Sequence, residues 1–125
     1  MTVSRLFLVL GSVSALLSVA AGAFGAHALR ERVTPDLLVT FETGARYQMY
    51  HALALCVVAW VVVRWEVPQA AWAGWFFVAG TVLFSGSLYL LALTGARWWG
   101  AVTPFGGLAF LAGWGLLAWA ALAAR

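Results

Sequence analysis

The stretch FETGARYQMYHALALCVVAWVVV, residues 41–63, changes from polar to apolar along its length. Its first half holds Glu42, Arg46 and His51, whereas its second half has no charged residue at all. An apolar run of this length is typical of a helix that crosses a membrane, which needs about 20 residues. The sequence therefore predicts that polar chemistry is concentrated where this helix enters the lipid.

The composition of the whole chain agrees with a membrane location. Of its 125 residues, 65% are hydrophobic and 9% are charged, and the mean hydropathy is +0.97. A soluble domain of this size could not bury so much apolar surface, because small domains keep a high ratio of surface to volume. The length and composition therefore predict a single domain that is integral to a membrane.

Four apolar segments are long enough to cross a bilayer as helices. They cover residues 6–28, 46–63, 71–94 and 105–124. Continuous apolar runs lack the alternation of barrel strands, and short connections favour antiparallel neighbours. The predicted fold is therefore all-α, an integral membrane bundle of four helices that run up and down.

The first segment also has some features of a cleaved signal peptide. Arg5 precedes its apolar core, and the small residues of AAGAFGAHA (20–28) resemble a cleavage site. The apolar run is longer than the core of most signal peptides, which have 7–15 apolar residues. We therefore expect this segment to be a retained transmembrane helix.

The loop between the first two segments carries the signals of a helix start. Thr34 is suited to an N-cap, Pro35 to the first helical position and Asp36 to the first turn. We expect a short amphipathic helix over residues 35–43 at the membrane surface, turning near Gly44. A continuous helix from Pro35 to the end of the second segment is the alternative, since glycine weakens a helix without forbidding it.

The arginines are scattered singly near the ends of the apolar segments. This pattern is typical of anchoring at the membrane surface rather than of phosphate binding, so the net charge of +3 predicts no nucleic-acid partner. The two predicted membrane faces carry similar numbers of them: Arg5, Arg64 and Arg125 on one, and Arg30, Arg32, Arg46 and Arg97 on the other. This near balance does not assign an orientation, and it permits dual insertion.

Small residues recur at helical spacing in the first and last segments. Such residues let helix backbones approach closely in lipid. The expected close-packing positions are Gly22, Gly25, Gly44, Gly106 and Gly113. Packing within one subunit is one interpretation, and self-association into a homo-oligomer is the other.

The polar residues of the second segment are ordered on a helix. Glu42, Arg46 and Tyr50 form one ladder at i, i+4 spacing, and Tyr47 and His51 belong to the next. A charge near the hydrocarbon costs roughly 2.5–3.5 kcal/mol, so we expect Glu42 and Arg46 to pair. Gln48 would face away from this stripe.

His51 should lie deeper than the charged pair and find its partners on the first helix. The end of that helix carries His27, Arg30 and Arg32 at a similar depth, and Gly25 permits close approach. The sequence therefore predicts one polar binding site between the first two helices. Its candidate residues are His27, Arg30, Glu42, Arg46, Tyr47, Tyr50 and His51.

Several interpretations of this cluster remain open. It is a structural network, a site for a lipid headgroup or small anion, or a proton path through Glu42 and His51. A metal site or an enzyme has less support, because the His and Glu spacing matches no recognised ligand motif. The chain also lacks a Ser/His/Asp order, a glycine-rich phosphate loop and an HExxH helix, so we expect no catalytic residue, metal or cofactor.

Two motifs resemble those of a known family. GAFGAHAL (22–29) closes the first segment, and FETGARYQMYHALAL (41–55) opens the second. Together they resemble the bacterial family called domain of unknown function 423, which includes small eukaryotic transmembrane protein 256-like proteins. The resemblance covers nearly the whole chain and implies an integral protein of the bacterial inner membrane. It implies no activity, substrate or catalytic residue.

The expectation from sequence is therefore a multi-pass inner-membrane protein with a non-enzymatic role. It would bind or help to assemble a partner, either membrane lipid or another membrane protein, and it would form a homo-oligomer. The alternative is a subunit of a small oligomeric channel or transporter that uses Glu42 and His51.

Overall fold

The computed structural model describes all residues 1–125 and is helical throughout its membrane-length segments. Four helical spans are long and apolar enough to cross a membrane, so the all-α membrane fold is confirmed. A π-helical turn, Thr81–Ser85, makes α3 and α4 one continuous span. The α-helices are α1 Val3–Ala26, α2 Pro35–Trp65, α3 Pro68–Gly80, α4 Gly86–Thr94 and α5 Thr103–Ala123.

The connections define two ends of the bundle. Short 3-10 turns at Leu29–Glu31 and Arg97–Ala101 lie at one end, which we call the loop face. Both chain termini and the link from α2 to α3 lie at the other end. That link turns sharply because Glu66 has a left-handed backbone, with φ of 50°. Antiparallel neighbours follow from these short connections.

The second helix differs from the expected short surface helix followed by a separate span. Residues 35–43 are the first turns of α2, which continues for 31 residues, so the separate helix is corrected to the continuous alternative. Gly44 is placed inside it against the Tyr89 ring, 3.1 Å from where a Cβ would lie. The Ser85 hydroxyl also donates to the Gly44 carbonyl at 2.7 Å. These contacts offset the low helix propensity of glycine.

The first two helices pack along what we call the seam, formed by Ser4, Gly11, Ser14, Ser18 and Gln48. The Ser4 hydroxyl donates to Ala59 O at 2.7 Å, and the Ser18 hydroxyl donates to Ala45 O at 2.6 Å. A Cβ on Gly11 would lie only 2.7 Å from the Ala52 carbonyl oxygen. Small residues thus bring the two backbones within reach of serine hydroxyls.

Elsewhere the core is built from phenylalanine rings that lie over glycines. A Cβ on Gly74 would clash with the ring of Phe7, and the remaining pairs follow the same rule. Phe7 and Phe77 are fully buried. The rings therefore fill the space that the glycines leave, and α5 is fixed against the third span. These further pairs are Phe110 over Gly80 and Phe77 over Gly113, whereas Gly106 lies directly against the Phe84 backbone.

Candidate functional site

Two openings lie on either side of α2 near the loop face. The smaller one, which we call the cleft, is between α1 and α2 and has a volume of about 230 Å³. The larger one, which we call the groove, is between α2 and α5 and has a volume of about 740 Å³. The cleft is lined by Ser18, Gly22, Glu42, Ala45, Arg46 and Met49. The groove is lined by Tyr47, Tyr50, His51, Phe84, Pro104, Gly107, Leu108, Phe110, Leu111 and Trp114.

The cleft holds two opposite charges that do not pair. Glu42 and Arg46 both line it, yet the ion pair expected between them is absent. The one ion pair of the chain joins Arg97 to Asp36 at 3.9 Å, and both of these side chains are exposed. The prediction of a Glu42–Arg46 pair is therefore wrong, and both charges remain available to a ligand.

Gly22 is the residue that leaves the cleft open. A Cβ at this position would meet no atom within 4 Å, so it does not make the close contact expected of a packing glycine. One turn further on, a Cβ on Gly25 would lie 3.1 Å from the Phe41 ring, and the helices close again. The cleft is therefore a local gap beside the close contact at Gly25, and a second opening of about 340 Å³ lies between the same two helices near the chain termini.

His51 lies at the base of the groove and is nearly fully buried, with 3% of its surface exposed. Its ring stacks on Phe110, with centroids 3.4 Å apart and planes 4° apart. Its Nδ1 lies 2.7 Å from the Tyr47 carbonyl oxygen, and its Nε2 lies 3.1 Å from the Trp114 Nε1. The imidazole therefore connects α2 to α5 across the floor of the groove.

These two partners fix the chemical form of the imidazole. The Trp114 indole N–H is only a donor, so Nε2 of His51 must accept from it. The Tyr47 carbonyl is only an acceptor, so Nδ1 must carry the proton and donate. His51 is therefore a neutral Nδ1–H tautomer with both nitrogens satisfied, which is the arrangement of a structural histidine.

The seven candidate residues do not form a single cluster. The prediction that His51 pairs with the end of α1 is wrong, because His51 points to the opposite side of α2. His27 and Arg30 are exposed beyond α1 and make no side-chain hydrogen bond or ion pair. Glu42 and Arg46 line the cleft, whereas Tyr47, Tyr50 and His51 line the groove.

Helical spacing predicts that Gln48 lies on the half of α2 away from the charged stripe, outside the expected binding site. Its amide nitrogen donates to the Ser14 carbonyl oxygen at 3.1 Å, and its amide oxygen accepts from the Tyr89 hydroxyl at 2.6 Å. It therefore joins α1, α2 and α4. Its position half a turn from the charged stripe, in line with the small residues of α1, is the signal that could have identified it.

The groove residues Phe110 and Trp114 gave no such signal. They lie one turn apart on α5, within a uniformly apolar segment. No group of three or more His, Cys, Asp or Glu side chains that could hold a metal ion comes together in the fold. The polar side chains that face the two openings are thus those of the cleft, the His51 ring on the floor of the groove and the tyrosine hydroxyls at its rim.

Comparison with known proteins gives consistent similarities. The family described as "Protein of unknown function (DUF423)" matches residues 21–107. The UPF0382 membrane protein YwdK of Bacillus subtilis is 44% identical, over 94% of this chain and 97% of its own length. The UPF0382 inner membrane protein YgdD of Escherichia coli K12 is 44% identical, over 91% of this chain and 87% of its own. No solved structure matches the chain.

Proposed function

This chain belongs to the DUF423 family and is a multi-pass protein of the bacterial inner membrane, and from that premise we propose that it is a non-enzymatic, lipid-binding component. Its ligand is an aminophospholipid whose headgroup lies in the cleft between α1 and α2. The observation that carries this proposal is the pair of opposite charges, Glu42 and Arg46, that line one open cleft without pairing.

The two charges complement the two groups of a zwitterionic headgroup. A guanidinium presents a fork of N–H donors that matches a phosphate, and a carboxylate accepts hydrogen bonds from an ammonium. Arg46 would therefore hold the phosphate, while Glu42 would hold the amine. Unpaired charges near the hydrocarbon are costly, so a ligand that pairs with both is favoured over an empty cleft.

The depth of the cleft also fits a headgroup. Arg46 and Arg64 are separated by 18 positions on one continuous helix, which is about 27 Å. The hydrocarbon core of a bilayer is about 30 Å thick, so one arginine lies near each membrane surface. Arg46 is then at the level of lipid phosphates on the side of the loop face.

The rival role, a channel or transporter subunit, has less support. The centre of the bundle is filled by Phe7, Val58 and Phe77, each with 0% of its surface exposed. His51, which the transport alternative would use to carry protons, has both ring nitrogens occupied by Tyr47 and Trp114. A wet path across the bilayer would require these apolar side chains to move apart.

Native mass spectrometry of the protein extracted in lipid nanodiscs tests the proposal. Wild type should retain phosphatidylethanolamine on release from the disc, and Arg46→Gln and Glu42→Gln should each lose most of it. Arg97→Gln is the matched control, because it removes an exposed arginine at the same membrane face but outside the cleft.

Two results would contradict the proposal. One is a wild type without bound phospholipid, and the other is an Arg46→Gln variant that keeps as much lipid as Arg97→Gln. Each variant's unfolding temperature, measured in parallel, separates a lost ligand from a lost fold. The same spectra report the number of subunits and so test the predicted homo-oligomer.

A further inference from the structure

The groove between α2 and α5 has the length of one membrane leaflet. On α5 it runs from Pro104, in the first turn, to Trp114. Ten positions on a helix correspond to about 15 Å, which is half the thickness of a hydrocarbon core of about 30 Å. The groove therefore begins near the membrane surface at the loop face and ends near the middle of the bilayer.

The walls of the groove offer almost no polar partner below its rim. Phe84, Leu108, Leu111 and Trp114 give it apolar sides, and the π-helical turn supplies Phe84. His51 lies on the floor, but its hydrogen bonds are already made within the protein. A molecule that fits this surface has no polar atom along its length.

The rim of the groove lies next to the charges of the cleft. Arg46 and Tyr50 are one turn apart on the same side of α2, and both are exposed. Tyr47 and Tyr50 mark the upper end of the groove, and neither hydroxyl makes a hydrogen bond within the protein. Arg46 is therefore on the ridge of α2 that separates the cleft from the groove.

We propose that the groove holds one acyl chain of the same phospholipid whose headgroup is bound at Arg46. This inference rests on the proposed function, and it adds that the lipid lies across α2 from the cleft to the groove. The headgroup stays in the cleft against Arg46, and the chain crosses the ridge past Tyr50 and descends to Trp114.

A lipid chain fits this surface better than a helix from a partner. A transmembrane helix is about 10–12 Å wide and crosses the full core, whereas the groove covers only one leaflet. Moving an acyl chain from the surrounding lipid into the groove contributes little binding free energy, because the lipid and the groove wall are equally apolar. The headgroup therefore provides the affinity, while the groove selects and orders the chain through dispersion contacts with its rings.

A photoreactive lipid tests the position of the chain. The probe is phosphatidylethanolamine with a diazirine near the end of one acyl chain, reconstituted with the full-length protein and mapped by peptide mass spectrometry. Labels should concentrate on Phe110, Leu111 and Trp114 over exposed lipid-facing residues such as Leu16 and Leu122.

A matched pair of α5 variants separates the groove from the rest of the helix. Gly107→Leu places a side chain in the groove, where a Cβ would meet only Phe84 at 3.9 Å, an ordinary contact. Gly115→Leu adds the same side chain where a Cβ would meet nothing within 4 Å, outside the groove. Labelling of the groove should fall several-fold in Gly107→Leu and stay unchanged in Gly115→Leu.

The two proposals fail in distinguishable ways. Retained phosphatidylethanolamine with labels spread evenly over the lipid-facing surface would overturn the acyl-chain inference and leave the cleft as a headgroup site. A wild type that retains no phosphatidylethanolamine would overturn both the headgroup site and the acyl-chain inference. A homo-oligomer in the native mass spectra of wild type that Gly107→Leu dissociates would overturn the inference in favour of a second subunit as the occupant.

Discussion

The two sides of α2 are built differently. Toward α1, the seam ties the helices with serine and glutamine hydrogen bonds to backbone oxygens, and Gly11 brings the backbones into contact. Toward α5, one side-chain hydrogen bond from Trp114 to His51 spans an open groove of about 740 Å³. The α1 side therefore supplies most of the hydrogen bonds that hold α2 in place, and the α5 side leaves the larger opening.

This difference shows how a small membrane protein can combine stability with an open surface. Lipid provides no hydrophobic force between helices, so packing and hydrogen bonds must hold them together. The seam supplies both at the interface between α1 and α2. Because α2 also packs against the third span through the bond from Ser85 to Gly44, the α2–α5 interface does not need to close.

The largest expected effect breaks the seam at its closest point. Gly11→Ala places a Cβ 2.7 Å from the Ala52 carbonyl oxygen and 2.9 Å from the Cys56 sulfur. Overpacking against a backbone atom should lower the free energy of unfolding by about 3 kcal/mol, the upper end of the usual range. Thermal unfolding in detergent measures this change.

Gly22→Ala is the control for that substitution on the same helix. Its new methyl group meets no atom within 4 Å, so the better helix propensity of alanine should raise the stability by up to about 1 kcal/mol. Equal losses in the two variants would mean that the seam is no tighter than the cleft.

Gln48→Leu tests the polar part of the seam. It removes the bond to Ser14 and leaves the half-buried Tyr89 hydroxyl without its acceptor, so we expect a loss of about 2 kcal/mol. Adding Tyr89→Phe should restore part of that loss, because the second change removes the orphaned hydroxyl. If the change in the free energy of unfolding of the double variant equals the sum of the changes in the two single variants, the two residues are not coupled.

Trp114→Phe tests the tie across the groove and should cost less. It removes one neutral hydrogen bond and leaves Nε2 of His51 facing the groove, so the expected loss is about 1 kcal/mol. Trp119→Phe is the control, since Trp119 is exposed and makes no hydrogen bond. If Trp114→Phe lowers the free energy of unfolding more than Gln48→Leu does, the α5 side contributes more than the α1 side to holding α2 in place, which contradicts the comparison.

The smallest effect is expected outside both regions. Asp36→Asn removes the exposed ion pair with Arg97 at the loop face. Exposed pairs contribute little because water and salt screen them, so the unfolding temperature should not change measurably at 0.15 M salt. A clear decrease would show that this pair helps to hold α2 near the start of α5.

The sequence predicts the four spans well, because the length and hydropathy of an apolar segment are determined locally. The boundary at Gly44 is not determined locally, because helix propensity there competes with contacts from Tyr89 and Ser85, which lie about 40 positions away. Those contacts decide that α2 is continuous. A local pattern does not contain them.

The candidate site was harder to predict for a similar reason. Helical spacing places Glu42, Arg46 and His51 correctly around α2, but it does not say which helix covers each side. The partners of His51 are apolar-segment residues, Phe110 and Trp114, that no polar pattern identifies. The opposite charges in the cleft looked like a pair because i, i+4 spacing permits one without requiring it.

The π-helical turn at Thr81–Ser85 separates the rotation of α3 about the helix axis from the rotation of α4. One residue more or less in a helix turns everything beyond it by about 100° around the axis. The π-helical turn holds more residues than an α-helical turn, so the direction in which the side chains of α4 point does not follow from that of α3 by regular α-helical spacing. The face of α3 that receives Phe7 at Gly74 is thereby uncoupled from the face of α4 that meets α2. A one-residue deletion within 81–85 would therefore let the wide turn close into a regular α-helical turn and leave the side chains from Gly86 to Thr94 on nearly the same faces, whereas a deletion elsewhere in the span would rotate them by about 100°.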